Sequence, residues 1–122
     1  MVIDSMKCSN KRIVIKQNSI DHNYYCIEAL NFHDSFIENN SFSYNDNALK
    51  IGNNCSNISI CRNNYIKNDV DSFFKNSIDL NWNENYWDRS RNLPVPIFGS
   101  IGLIPWVNFD WNPAKEPYDI GV

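Results

Sequence analysis

An all-β solenoid is the fold class that the sequence predicts, and two periodicities support it. Asparagine recurs in three columns with a common step of 22 or 23 residues. These columns are Asn18, Asn40, Asn63 and Asn85; Asn23, Asn45 and Asn68; and Asn31, Asn53 and Asn76. Within each repeat, apolar residues such as Ile58 and Ile60 stand two positions apart, which is the period of a strand. The chain therefore repeats one short, strand-based unit.

Each repeat is predicted to form one rung of a parallel β-helix. A fixed period in the twenties is typical of solenoids, in which each repeat buries its apolar residues only by stacking on its neighbours. Leucine-rich repeats are excluded, because the chain has neither the leucine content nor the helical return segment. Rungs about 4.8 Å apart let the asparagines of one column bond side chain to side chain. The prediction is an all-β, right-handed parallel β-helix of about three to four rungs.

Five columns of residues are predicted to face the interior of the coil, because they share a repeat position and alternate with polar neighbours. They are Ile13, Ser35, Ile58 and Leu80; Ile15, Ile37, Ile60 and Trp82; Ile20, Phe42, Tyr65 and Trp87; Ile27, Leu49 and Ser72; and Ala29, Ile51 and Phe74. The intervening positions should face outward. There Lys16 would lie beside Glu38 and Glu28 beside Lys50, and opposite charges in register support the alignment.

The N-terminal residues resemble the tail of an earlier rung. Val2-Ile3-Asp4-Ser5 matches Ile27-Glu28-Ala29-Leu30, which precedes the Asn31 column. A rung that begins in this way exposes unpaired backbone donors and acceptors. We expect that the chain is a fragment or truncated relative of a longer protein, or that it self-associates through this uncapped N-terminal rung.

A change of composition near residue 88 predicts the end of the rungs. All five prolines and three of the four glycines follow this point. Because proline cannot donate to a ladder, regular rungs are expected to stop here. The remaining segment is apolar and contains two tryptophans, as a plug over the open end of the core would. The predicted organisation is a single domain, with repeats over 1–88 and a Pro/Trp-rich C-terminal capping segment over 89–122.

Charge and hydropathy exclude several classes of function. With 11 basic and 14 acidic residues the net charge is −3, and no basic cluster follows one face, so nucleic acid is a poor partner. No apolar run approaches the roughly 18 residues that span a bilayer. Residues 1–8 lack the apolar core of a signal peptide. The irregular spacing of Cys8, Cys26, Cys55 and Cys61 favours free thiols over disulfides.

Two motifs carry a resemblance to a known family. Asn-Tyr-Trp-Asp at 85–88 closes the asparagine-rich array, and the segment 104–119 begins Ile-Pro-Trp-Val-Asn-Phe-Asp-Trp-Asn-Pro. Together with the repeats, these motifs resemble the C-terminal end of NosD-like right-handed parallel β-helix proteins, especially archaeal ones. That family is also described as carbohydrate-binding and sugar-hydrolysis (CASH) or pectate-lyase-like repeat proteins.

The resemblance implies a non-catalytic binding or scaffold module, with a polysaccharide or other glycan as its ligand. Two alternatives stay open: a pectate-lyase-like polysaccharide lyase or hydrolase, and a NosD-type accessory protein of copper-enzyme maturation. Members are typically exported and much longer. An extracellular or cell-envelope location is therefore implied, although residues 1–8 show no signal peptide.

A carboxylate cluster is the first candidate site. Asp46 and Asp69 share a repeat position one rung apart, and Asp71 lies two residues beyond Asp69 on the same side of its strand. Such a group could hold Ca²⁺, or a pair of its members could act as acid and base on a glycosidic bond. A lyase would also need a base, for which Lys67 and Arg62 are the nearest candidates. The structural alternative is that Asp replaces Asn at a turn.

A metal site and a glycan-binding face are the other candidates. His33 and Cys55 fall at nearly matching turn positions, and with Cys61 they could hold Cu(I) or Zn²⁺. A glycan could instead pack on outward-facing aromatic residues among Asn, Asp and Ser side chains. The aromatic candidates for that contact are Tyr24, Tyr44 and Phe73.

Overall fold

The computed structural model of the protein describes residues 2–4, 12–90 and 92–120, with residues 2–4 described as backbone only. Within these ranges no helix is long and apolar enough to cross a membrane. The regular structure of these ranges is all β. The strands are β1 Val2–Asp4, β2 Val14–Lys16, β3 Ser19–Asp21, β4 Tyr25–Leu30, β5 His33–Glu38, β6 Ser41–Ser43, β7 Asn47–Ile51, β8 Ser56–Cys61, β9 Asn64–Ile66, β10 Val70–Lys75, β11 Ile78–Asn83, β12 Tyr86–Trp87, β13 Val95–Ile101 and β14 Ile104–Asp110.

The strands form three sheets that stack from rung to rung. Sheet A has the order β1-β4-β7-β10-β13-β14, sheet B the order β11-β8-β5-β2, and sheet C the order β12-β9-β6-β3. Up to β13, every third strand returns to the same sheet and pairs in parallel with its predecessor. The fold is therefore a parallel β-solenoid of about four turns, as the repeat period predicts.

The inward-facing columns are confirmed by register and burial. Ile15 pairs with Ile37, Ile37 with Ile60, and Ile60 with Trp82. All four side chains are buried, and they belong to one continuous apolar core along the axis. The solenoid thus buries one apolar side chain over the next at each rung.

Aromatic rings stack within this core towards the last rung. The ring centroids of Phe42 and Tyr65 are 5.4 Å apart, and those of Tyr65 and Trp87 are 4.5 Å apart. Trp82 lies beside the end of the stack, 6.4 Å from Trp87. Stacked rings at such distances stabilise a fold beyond the area that they bury.

The first asparagine column forms a hydrogen-bond ladder through the core. Nδ2 of Asn18 donates to Oδ1 of Asn40 at 3.0 Å, Asn40 to Asn63 at 3.1 Å, and Asn63 to Asn85 at 3.0 Å. The backbone N–H groups of the first three donate to the same acceptor oxygens. Nδ2 of the last three also donates to a backbone carbonyl. The predicted ladder therefore satisfies polar groups that the core would otherwise leave unpaired.

Four columns of residues, three in turns and one at the second position of each sheet B strand from β5 to β11, adopt a left-handed backbone conformation, with φ between 51° and 67°. They are Gln17, Asn39, Arg62 and Glu84; His22, Tyr44, Lys67 and Asp88; Asn31, Asn54 and Asn76; and Asp34, Asn57 and Asp79. Asn and Asp tolerate this conformation, whereas long and aromatic side chains are strained in it. Because the coil bends at the same points in every rung, each column keeps one backbone geometry whatever residue occupies it.

The predicted register of the N-terminal strand is wrong by one residue. β1 does pair in parallel with β4, but Val2 lies opposite Glu28 and not opposite Ile27. The observed register places Ile3 opposite Ala29, in an inward-facing column. A slip of one residue exchanges the two faces of a strand. The rest of the predicted N-terminal tail lies outside the described residues.

Sheet A gains one more parallel strand after residue 88. β13 adds a further parallel strand to sheet A, with Gly99 opposite Phe74 and Ser100 opposite Lys75. Pro96 lies outside these paired positions, so its missing N–H removes no bond there. β14 then folds back antiparallel along β13. We call β13, β14 and their turn the C-terminal hairpin.

The C-terminal hairpin returns across the last rung. Nε1 of Trp82 donates to Oδ1 of Asn108 at 3.1 Å, and Nε1 of Trp87 donates to Oδ2 of Asp110 at 3.0 Å. Asp110 also accepts the next bond of the ladder, from Nδ2 of Asn85 at 3.1 Å. The hairpin is thus joined to the solenoid through side chains of the core.

Candidate functional site

An open groove follows the outer face of sheet B along the solenoid axis. Strand alternation defines this face, because the neighbours of the buried Ile15 column point outward. Val14, Phe36, Ser59 and Asn81 follow one another in register there. The short side chains of Ser59 and Asn81 leave space between the larger groups at each end.

The N-terminal part of this groove has a volume of about 640 Å³. The guanidinium carbon of Arg12 lies 5.0 Å from the centroid of the Phe36 ring, within the range of a cation–π contact. Nδ2 of Asn57 donates to Oδ1 of Asp34 at 2.7 Å. This end therefore presents an aromatic ring, a positive charge and an oriented carboxylate.

The C-terminal part consists of two adjoining hollows of about 370 and 270 Å³. Trp111 lines both and is 67% exposed. Its ring centroid lies 5.1 Å from that of Phe109. Arg62 lines the larger hollow and forms an ion pair with Glu38 at 3.1 Å. This end therefore carries an exposed indole and a second, paired cation.

The three hollows share lining residues and form one surface, which we call the sheet B groove. Ser59 lines the N-terminal hollow and its neighbour, while Asn81 and Trp111 line both C-terminal hollows. Phe36 and Ser59 lie one rung apart, and so do Ser59 and Asn81, at about 4.8 Å per rung. The groove thus runs across successive rungs between two aromatic side chains.

The chemistry of the sheet B groove suits binding better than hydrolysis. Among the described residues that line it, Asp34 is the one carboxylate. That carboxylate is engaged by Asn57. Glycoside hydrolysis normally needs two carboxyl groups facing the scissile bond. The groove instead offers hydroxyl, amide and guanidinium groups that can bond a polar ligand.

The three aspartates predicted as a catalytic or calcium site lie elsewhere, near the corner between sheets C and A. Asp46 and Asp69 occupy the same turn position on adjacent rungs, as predicted, and each N–H donates to an asparagine carbonyl of the preceding rung at 2.9 Å. Asp71 accepts a hydrogen bond from Nδ2 of Asn68 at 3.2 Å. Asp69 and Asp71 line a hollow of about 350 Å³. None of the three aspartates lines the sheet B groove.

The aromatic residues predicted to bind glycan lie on two surfaces. Tyr24 and Tyr44 are exposed in the turns between sheets C and A, where the Tyr44 ring stacks on His22 with centroids 5.3 Å apart. Phe73 is half-buried on sheet A, with Nζ of Lys50 at 5.8 Å from its ring centroid. None of the three lines the sheet B groove.

The candidate metal ligands are not brought together. His33 lies opposite Ser56 rather than Cys55, and its Nδ1 is 2.7 Å from the Ser56 hydroxyl. Cys55 is buried, where its sulfur accepts a bond from the N–H of Phe32 at 3.4 Å. Across 12–90 and 92–120, no group of three or more His, Cys, Asp or Glu side chains could hold a metal ion.

The described cysteines are free thiols, as predicted, and Cys8 lies outside the described residues. Burial raises the pKa of Cys26 to about 11. Burial likewise raises the pKa of Cys55 and of Cys61. Because the thiolate is the nucleophile and the metal ligand, burial disfavours both roles at neutral pH.

Phe36 and Trp111 are the aromatic groove residues that sequence reasoning missed. Phe36 stands between the inward-facing Ser35 and Ile37, so alternation alone places it on the outer face. Trp111 follows the C-terminal hairpin, and the return of that hairpin across sheet B has no counterpart in the repeats. The alternation pattern could therefore have identified Phe36, but no sequence pattern indicated Trp111.

Comparison with known proteins gives no match. No family model matches the chain, and neither a curated protein nor a solved structure is significantly similar to it.

Proposed function

We propose that the protein is a non-catalytic binding module that holds an extended glycan in the sheet B groove. The observation that carries the proposal is the continuity of the groove across the rungs, from Phe36 to Trp111. A linear polymer repeats along its length as a solenoid does, so similar contacts can recur from rung to rung. The resemblance of 85–88 and 104–119 to NosD-like and CASH proteins supports the same ligand class.

The lining of the groove supplies the groups that sugars need. Ser59, Asn57 and Asn81 offer short donors and acceptors for hydroxyl groups. The rings of Phe36 and Trp111 offer apolar faces on which a sugar ring can pack. Because the guanidinium of Arg12 can form a bidentate hydrogen bond with a carboxylate, the N-terminal end favours a sugar that carries one.

A polysaccharide array followed by affinity electrophoresis tests the proposal. Phe36→Ala and Trp111→Ala should each weaken binding about tenfold, because each removes one aromatic platform. Tyr24→Ala and Tyr44→Ala are matched controls, since they remove exposed rings from another surface. Both controls should bind like the parent chain.

Product analysis on the same samples separates binding from catalysis. Bound polysaccharide should be recovered without new reducing ends or unsaturated products, in the presence of Ca²⁺ or of EDTA. Products that disappear in Asp69→Asn would show an enzyme at the aspartate corner instead. Equal loss of affinity in Tyr24→Ala would place the ligand at that corner, and failure to bind any polysaccharide would reject the proposal.

A further inference from the structure

The segment after β12 builds part of one further rung. In sheet A this rung is supplied by β13, which pairs beyond β10. At the asparagine ladder it is supplied by Asp110, which accepts the N–H of Asn85 at 2.9 Å. In sheet C the N–H of Ala114 donates to the carbonyl of Asn85 at 2.9 Å, just as the N–H of Tyr86 donates to Asn63 one rung earlier. The further rung is therefore present in sheet A, at the ladder and at one position of sheet C.

Sheet B gains no strand at this level within the described ranges. β11 is the last strand of that sheet and pairs with β8 alone. The inward-facing Leu80 is only partly buried, whereas Ile58 and Ser35, which precede it in the same column, are each 1% exposed. A hollow of about 270 Å³ lies between residues of β11 and residues of β14. β11 is therefore a free edge at the C-terminal end of sheet B.

The backbone of this edge is oriented for pairing. The N–H of Phe36 donates to the carbonyl of Ile13 in the preceding rung, and Asn81 holds the position of Phe36 two rungs later. Successive residues of a parallel strand bond to opposite neighbours. Leu80 and Trp82 therefore direct their N–H and C=O groups away from β8, towards the open side of the sheet. Such a row of backbone groups is a template for another strand.

The hollow beside the edge determines what kind of strand would fit. None of its lining residues is charged. Leu80 and Phe109 give it apolar surface, while Asn108 is engaged by Nε1 of Trp82 at 3.1 Å. Burying a charge in such a place is costly when no partner is at hand. An entering strand should therefore be uncharged and should place an apolar side chain over Leu80.

We infer that the free edge of β11 binds a short, uncharged, extended peptide as a further parallel strand of sheet B. The edge continues the surface along which β2, β5, β8 and β11 already stack. In strand addition, main-chain hydrogen bonds supply affinity and alternate side chains supply specificity. A second whole solenoid would meet β14 beside this edge, whereas a single strand can enter the hollow between them. The inference does not depend on glycan binding.

Fluorescence anisotropy of the full chain with a labelled peptide tests this inference. The peptide Ser-Asn-Ile-Ser-Ile copies residues 56–60 of β8, which carry isoleucine at both inward-facing positions. It should bind saturably. N-methylation of its second serine, whose amide would donate to the carbonyl of Leu80, should weaken binding at least about tenfold. N-methylation of its last isoleucine is the matched control, because that amide would point away from β11, and it should leave binding unchanged.

Two further measurements locate the peptide. Binding should slow hydrogen exchange at the amide of Leu80. Slowed exchange at Val14 instead would place the peptide on β2 at the opposite end of sheet B and would overturn the inference. Phe36→Ala should bind the peptide like the parent chain, because Phe36 lies at the other end of the sheet B groove.

Three other outcomes would also overturn the inference. The first is the absence of saturable binding, and the second is an equal loss of affinity from the two methylations. The third is a dimer of the chain that slows exchange at Leu80 without peptide, because a second copy would then cover the edge.

Discussion

Asp110 accepts the last hydrogen bond of the asparagine ladder, at 3.1 Å from Nδ2 of Asn85. Its Oδ2 also accepts the backbone N–H of Asn85 at 2.9 Å and Nε1 of Trp87 at 3.0 Å. Its Oδ1 accepts the N–H groups of Glu84 at 3.2 Å and of Asn112 at 3.1 Å. Five donors therefore converge on one fully buried carboxylate.

Replacing this carboxylate should destabilise the fold. Asp110→Ala leaves buried donors without an acceptor, so we expect the free energy of unfolding to fall by about 3 kcal/mol or more. Asp110→Asn should lower the free energy of unfolding by less, because one acceptor oxygen remains. It should still be destabilising, because the new NH₂ group would face hydrogen-bond donors. Urea unfolding followed by tryptophan fluorescence measures both. Asp79→Asn, the same change at an exposed position of β11, is the control, and an equal loss there would contradict the assignment.

The ladder should lose most stability when it is cut at its centre. Asn63 is fully buried, donates to Asn85 and Ile37, and accepts from Asn40. Asn63→Ala should therefore lower the free energy of unfolding by about 3 kcal/mol, since several buried partners become unpaired. Asn18→Ala removes an exposed end of the same column and should cost about 1 kcal/mol. Similar urea midpoints for the two variants would argue against a cooperative ladder.

The contact between Gly99 and Phe74 predicts a steric limit. A Cβ at position 99 would lie 2.6 Å from carbons of the buried Phe74 ring and closer still to its carbonyl oxygen. Gly99→Ala should thus destabilise the chain by about 2 kcal/mol or more. At Gly102 a Cβ would meet no other atom, but the φ of +60° strains an alanine. Gly102→Ala should therefore destabilise the chain by about 1 kcal/mol. Thermal unfolding of the two variants gives the comparison, and a reversed order would refute it.

The left-handed turn columns predict a stabilising substitution. Lys67 has a φ of 53°, a conformation that strains a long side chain but suits asparagine. Lys67→Asn should raise the free energy of unfolding by about 0.5–1 kcal/mol. Lys16→Asn is the matched control, because Lys16 lies in a strand and should gain nothing. Chemical denaturation measures both, and equal effects would show that charge rather than backbone strain is responsible.

Burial of Cys26 predicts a loss of stability at high pH. The pKa of its thiol is about 11 in the folded chain and about 8.5 when unfolded. Between these values the unfolded chain loses the proton that the folded chain keeps, so stability falls as pH rises. The slope from Cys26 is at most about 1.4 kcal/mol per pH unit. Urea titrations between pH 8 and pH 11 should show a shallower decline in Cys26→Ala than in the parent chain, and identical declines would contradict this.

The repeats could be predicted because the same residue types recur in the sequence at a fixed step. Asparagine at Asn18, Asn40, Asn63 and Asn85 reveals the register of each rung, and alternation then assigns the inward side chains. The N-terminal strand offered no such guide, because Val2 and Ile3 are both apolar and either register pairs one of them with an inward-facing residue of β4. A segment of three strand residues cannot distinguish the two.

The end of the fold and the sheet B groove were harder to predict. β14 pairs antiparallel with β13, so its partners have no repeat step by which to recognise them. The ladder role of Asp110 was hidden for the same reason, since it lies 25 residues after Asn85 rather than 22 or 23. The groove was missed because its two aromatic ends come from a rung and from the segment after the hairpin. Only the folded chain places Phe36 and Trp111 on one surface.

The side-chain bonds between the asparagines of the ladder have a polarity, because each Nδ2 donates to the next asparagine of the column and each Oδ1 accepts from the one before it. At Asn85 this head-to-tail series meets a group that accepts hydrogen bonds and donates none. In a duplicated rung inserted before Asn85, the ladder asparagine would accept a hydrogen bond from the asparagine before it and donate one to the asparagine after it. In a rung added after Asp110, the ladder asparagine would receive no hydrogen bond, because Asp110 has no donor to offer. Duplication of rungs before Asn85 can therefore lengthen the ladder, whereas Asp110 ends it.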